Sequence, residues 1–113
     1  MAHHQEKESV LLKELIAQFL NLEASTKSVI TVTGCSISSD SKKATVYITV
    51  LPEKMEKEAL NFAKRQRPAM RDFIKQKARL KTLPFIEVEI DQGEKNRQRI
   101  EGLLKSMETP YLG

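Results

Sequence analysis

The chain has 113 residues, 40% of them hydrophobic and 30% charged, with a formal net charge of +4 and a single cysteine. That length fits one domain with a real but small core, and no run approaches the roughly 18 apolar residues that would suggest a membrane span. Cys35 has no partner for an internal disulfide, and no apolar stretch follows the polar start at His3 and His4, so a reducing cytoplasm is expected and a secretory signal is not.

Residues 6–22 carry Leu11, Leu12, Leu15, Ile16, Phe19 and Leu20 at spacings of three and four, the signature of a helix with one apolar face. A polar connector at 23–28 leads into VITVTGCSI, residues 29–37, rich in the β-branched residues that strands favour. Ile30 and Val32 share a face, but beyond Gly34 the apolar residue Ile37 falls on the opposite parity, so a bulge is expected near the glycine. SSDSKK is a turn with Ser and Asp as local hydrogen-bonders. ATVYITVL, residues 44–51, alternates cleanly and completes a hairpin.

Pro52 ends that strand and opens a helix whose early acids, Glu53, Glu56 and Glu58, suit the positive end of its dipole. Ala59, Phe62 and Ala63 supply its buried face. The helical pattern then meets Pro68, which should break it into segments of about 53–66 and 68–79, with Arg67 pushed out of the helical region. Ala69, Met70 and Phe73 are expected to face inward on the second segment. FIEVEI, residues 85–90, is a third strand with Ile86, Val88 and Ile90 inward and Glu87 and Glu89 solvated. Residues 91–96 read as a turn around Gly93, 99–104 as a short helix, and the tail from Thr109 as loose. The result is one α+β domain spanning 1–113, with an ordered core of about 9–105, mobile ends and helices covering one face of a three-stranded sheet. Ile30, Val32, Val46, Ile48, Val88 and Ile90 should lie beneath helices carrying Leu15, Phe19, Phe62 and Phe73.

The charge is concentrated. Residues 64–81, KRQRPAMRDFIKQKARLK, hold eight cations and one anion, a net of +7, while the remainder sums to −3. Solvated helices usually mix signs, so this run points to a polyanion. The candidate RNA-binding residues are Lys64, Arg65, Arg67, Arg71, Lys75, Lys77, Arg79 and Lys81. Arg67, Arg71, Lys75 and Arg79 recur every fourth residue and form one stripe. A break at Gln66, Arg67 and Pro68 would also free backbone N–H groups at the start of the second helix for phosphate. Aromatic content is 5%, with Phe62 and Phe73 assigned to the core, so base stacking is disfavoured and recognition should rest on shape and backbone. Chemistry is otherwise sparse. No residues have metal-ligand spacing, the four glycines form no phosphate loop, and Cys35 lacks a histidine base. Neither an enzyme nor a cofactor is expected.

ITVTGCSISSDSKKATVYITV, residues 30–50, resembles the strand–turn–strand signature of the bacterial ribosome-binding factor A family, with Ser38, Asp40, Ala44, Val46 and Tyr47 at recurrent positions. ARLKTLPFIEVEID, residues 78–91, is similar to that family's basic run, proline and strand closing on Asp, and RIEGLL, residues 99–104, is a third match. The resemblance covers about residues 9–105. It implies a KH-like type II fold, α-β-β-α-(kink)-α-β. It also implies a monomeric, non-catalytic assembly factor that binds the small ribosomal subunit and its rRNA during late maturation and rRNA processing, with no membrane or small-molecule substrate. The family's Ala-x-Gly kink element aligns with Gln66-Arg67-Pro68, which departs from it at both defined positions. The rival readings are a general KH-like RNA-binding protein acting on messenger or small RNA, and a module whose basic helix grips an acidic protein.

Overall fold

The computed structural model describes residues 2–22, 27–78 and 83–108, with side chains described between 7 and 105. Helix α1 (Ala2–Leu22) leads into strands β1 (Val29–Ile37) and β2 (Lys43–Leu51). A single 3-10 turn (Glu53–Met55) then precedes α2 (Glu56–Arg65), α3 (Arg67–Lys77), β3 (Phe85–Ile90) and α4 (Gln92–Glu108). The sheet order is β1-β2-β3. β1 pairs antiparallel with β2, and β2 pairs parallel with β3. The expected α+β, KH-like order is therefore present, with α4 appended.

The central strand organises the core. Ala44, Val46, Ile48 and Val50 are buried on one face of β2, and Ile86 and Val88 continue that layer on β3. Leu12, Leu15, Ile16, Phe19 and Leu20 bring α1 down onto it, with Phe19 and Phe73 ring centroids 5.7 Å apart where α1 meets α3. Ala59 and Ala63 on α2 and Met70 and Ile74 on α3 complete the layer. Two expectations shift. Ala69 is exposed and Ile74 is fully buried, because Met70 and Ile74, four residues apart, form the inward stripe of α3 and Ala69 lies one position off it. Leu11 is also exposed, one position off the buried stripe of α1. Ile30, Val32, Ile90, Phe62 and Phe73 are half-buried at the rim of the core.

The bulge lies where the parity change placed it. The β1–β2 register slips between Val32 and Gly34, leaving Thr33 as the extra residue. Its hydroxyl donates to Asp91 Oδ2 at 2.6 Å. Asp91 in turn accepts the Glu94 N–H at 2.9 Å through Oδ1, an N-cap on the third residue of α4. This cap overturns the expected turn at 91–96: the helix begins at Gln92, with Gly93 inside its first turn. α4 contributes no buried residue among those described, and its attachment is polar. Lys95 lies 2.9 Å from both Glu53 and Glu56, and Arg99 also pairs with Glu53. At the other end of the hairpin, Asp40 Oδ1 accepts from the Ser38 hydroxyl at 2.6 Å and the Lys42 N–H at 3.1 Å, while Ser41 takes a φ of 60°.

The Glu94 N–H and then the Thr33 hydroxyl hold the Asp91 carboxyl below the usual carboxylate range. A depressed native value means that this stabilisation is complete above the ordinary carboxylate range and is lost as pH falls through the native value. Asp91→Ala should cost about 0.5–2 kcal/mol in urea unfolding at neutral pH, the usual range for a lost N-cap. Asp91→Asn should keep most of the cap at neutral pH and flatten the acid limb of the stability profile.

Candidate nucleic-acid interface

The break between α2 and α3 is one residue, Gln66, with φ −85° and ψ 3°. Its N–H bonds back to Phe62 O and Ala63 O, and its carbonyl accepts from the Met70 N–H at 2.8 Å. Pro68 sits in the first turn of α3, where a missing N–H is tolerated. Arg67 is thus helical, a correction to the expectation that proline would expel it. Pro68 would normally be the donor to the carbonyl four residues earlier, that of Lys64, and cannot be. That carbonyl accepts instead from Arg67 Nε, at 3.1 Å. The donor set at the start of α3 is thinner than expected, since the Gln66 N–H is used and Pro68 has none.

Arg67 does more than close the break. Its terminal nitrogen lies 2.8 Å from Glu87 Oε1 on β3, and its guanidinium sits 5.6 Å from the centre of the Phe85 ring. Glu87 is therefore the partner of a half-buried arginine rather than a merely solvated acid. Arg71 donates to the Pro84 carbonyl at 2.6 Å, fixing the entry to β3. Two cations of the four-residue stripe are accordingly structural ties between α3 and β3 as well as charges.

An open groove of about 520 Å³ runs along this seam, with Lys64, Arg65, Arg67, Arg71 and Lys75 on its wall and Phe85 at its rim. Asp72 is the one acid that lines it. Lys64, Arg65 and Lys75 carry no ion pair among the described residues. Lys77 does not line the groove: its ammonium lies 5.8 Å from the centre of the Phe73 ring, the ring that meets Phe19 of α1. Arg79 and Lys81 lie outside the described residues. The groove thus unites five of the eight sequence candidates. Phe85 is the residue missed: it is 55% exposed, contrary to the expectation that no aromatic faces solvent. The parity of β3 explains it, because Ile86 and Val88 inward put Phe85 and Glu87 outward.

Elsewhere the described residues offer little chemistry. They hold no group of three potential metal ligands, and none of the described helices is long and apolar enough to cross a membrane. The Cys35 thiol is pushed up to about 11 by burial and by the nearby Glu8 charge, so it is not a thiolate at neutral pH.

Arg67→Lys retains the charge but not the fork that donates to Lys64 O and Glu87 together. It should lower stability by about 1 kcal/mol, the scale of a half-exposed ion pair with a ring contact. Lys75→Ala should leave thermal melting unchanged.

The sequence model of ribosome-binding factor A matches residues 4–104. A curated ribosome-binding factor A from Fervidobacterium nodosum is 30% identical over 88 residues, covering 77% of this chain and 70% of that protein. The crystal structure of ribosome-binding factor A from Thermus thermophilus superposes with a TM-score of 0.68 at 21% identity, covering 76% of this chain and 94% of that one. A homology model of the Thermus factor, fitted into a cryo-EM map of its complex with the 30S subunit, gives 0.64 at 22% identity, covering 72% and 88%. A parallel-paired third strand reached through two helices broken at Gln66, a bulged hairpin and a match across nearly the whole chain lead to one conclusion: this chain belongs to the ribosome-binding factor A family.

Proposed function

We infer that this chain binds the small ribosomal subunit, with ribosomal RNA as its main contact, through the groove at the α2–α3 break. It acts there as a non-catalytic cytoplasmic factor in late maturation and rRNA processing. The observation that carries the reading is the groove itself: Lys64, Arg65 and Lys75 converge on an open seam with no ion pair among the described residues to neutralise them. A cation left unpaired beside four others is unfavourable in the free protein and is relieved by a polyanion, whose binding releases counterions. The fitted 30S complex of the Thermus relative supports the same partner class.

Sedimentation of cell extract, with and without ribonuclease, tests the reading. The chain should travel with small subunits and not with polysomes. Migration with free RNA would favour a general RNA-binding protein, and indifference to ribonuclease would favour an acidic protein partner. The triple variant Lys64→Glu, Arg65→Glu and Lys75→Glu should bind purified subunits at least tenfold more weakly, with melting unchanged. Its log–log salt slope should be shallower by about 2–3, at roughly 0.7–0.9 for each phosphate that the variant no longer neutralises.

Pro68→Ala tests the break. Alanine restores an N–H that can reach Lys64 O and favours a continuous helix. Helix content by far-ultraviolet dichroism should hold or rise while subunit affinity falls. Equal affinities of the two proteins would show that tertiary packing alone sets the bend.

A further inference from the structure

Phe85 is the feature of this groove that charge does not explain. A phenylalanine at the outward position of an edge strand gains little from folding, and more than half of its surface stays in water. It is nevertheless held in place. The Arg67 guanidinium covers part of the ring from 5.6 Å, and Glu87 pins that guanidinium at 2.8 Å. On the neighbouring strand Lys43 lies directly across from it, and the Phe85 N–H donates to Lys42 O at 2.8 Å. The strand position of Phe85 is therefore anchored, and its ring rests against the Arg67 guanidinium beside a basic groove before any ligand arrives.

We propose that the groove takes an unpaired nucleotide of RNA, with its phosphates on Lys64, Arg65 and Lys75 and its base stacked on Phe85. The proposal rests on the RNA-binding reading above and names the part of the RNA that the site selects. A base inside a duplex already has both faces stacked, so an aromatic ring at a groove rim reaches only a base splayed out of its helix. The volume agrees: about 520 Å³ lies within the ~300–1,000 Å³ range of sites for small ligands. Charge selects RNA over an acidic protein only weakly, because both are anions. The planar ring beside those charges is what matches a nucleotide, since every base presents a π-face. The Arg67–Phe85 contact, with Arg67 held by Glu87, also limits the side-chain ordering that binding would otherwise require.

The chain contains no tryptophan, so Phe85→Trp installs a single fluorescent reporter at the proposed stack. Three variants, Phe85→Trp, Phe85→Leu and Phe85→Ala, are titrated with a single-stranded oligouridylate and with duplex RNA of equal length, each over a salt series. Thermal melting of each variant checks its fold. The expected result has four parts. Phe85→Leu and Phe85→Ala lose single-strand affinity by roughly 5- to 150-fold, the range for one stacked base. Phe85→Trp keeps it, and its fluorescence is quenched by the single strand. All three keep the parental salt slope, and duplex binding does not change. Leucine separates stacking from plain apolar contact. Single-strand affinity of Phe85→Leu equal to that of the parent overturns the proposal, as does an equal loss for duplex. The Lys64, Arg65 and Lys75 reversal stands apart from this outcome: if it weakens subunit binding while Phe85→Leu does not, the groove binds RNA through the backbone alone. If the reversal has no effect, the groove is not the site and both readings fail.

Discussion

Parallel pairing of β2 with β3 is the constraint from which the rest of the architecture follows. Two antiparallel strands can be joined by a tight turn, as β1 and β2 are, but parallel neighbours need a crossover that returns the chain to the same end of the sheet. Here the chain between β2 and β3 makes that return through two helices, α2 and α3, rather than the single helix that would suffice. The break between α2 and α3 at Gln66 is where the start of α3 meets the β3 edge, through Arg67 to Glu87 and Arg71 to the Pro84 carbonyl. The basic groove is thus a product of the two-helix crossover, lying where its break meets β3. Any sequence folded this way has a seam there, and this one lines it with cations.

Those cations divide by what they touch. Arg67 and Arg71 have short donor contacts to Lys64 O, Glu87 and Pro84 O, and so hold α3 against β3. Lys64, Arg65 and Lys75 line the same groove with no ion pair among the described residues. Position sets the division for Arg65, and side-chain chemistry fits the rest of it. A guanidinium can donate in two directions from one plane, which suits it to bridging a carbonyl and a carboxylate, whereas an ammonium on a flexible stem works as a movable point charge.

Much of this was legible in the sequence, and the failures are of two kinds. Strands with period-two burial, the hairpin turn and the parity slip at the bulge are local patterns, and each appears in place. The helix break near Pro68 is also a local effect, read correctly in position and wrongly in detail, because a proline within the first turn permits helical geometry at Arg67. Part of what escaped depends on residues far apart in the chain. The Arg67–Glu87 pair spans 20 positions, and Thr33 reaches Asp91 across 58. The cap on α4 was locally visible, since Asp91 and Glu94 stand at cap spacing, but Gly93 between them argued for a turn. Phe85 was passed over because the weighing of aromatics stopped at Phe62 and Phe73, although the alternation of β3 already placed it outside.

The polar attachment of α4 has an effect on how this protein must be measured. Lys95 held between Glu53 and Glu56, and Arg99 on Glu53, are partly exposed ion pairs with no buried apolar residue of α4 among those described to support them. Raising ionic strength weakens such pairs over the same range in which it weakens phosphate contacts. A salt titration of this chain therefore follows two events at once, release from its polyanion and loosening of its last helix. A phosphate count taken from the raw gradient would carry whatever the helix contributes if its docking is coupled to binding, so the unliganded protein must be titrated alone before the gradient is read.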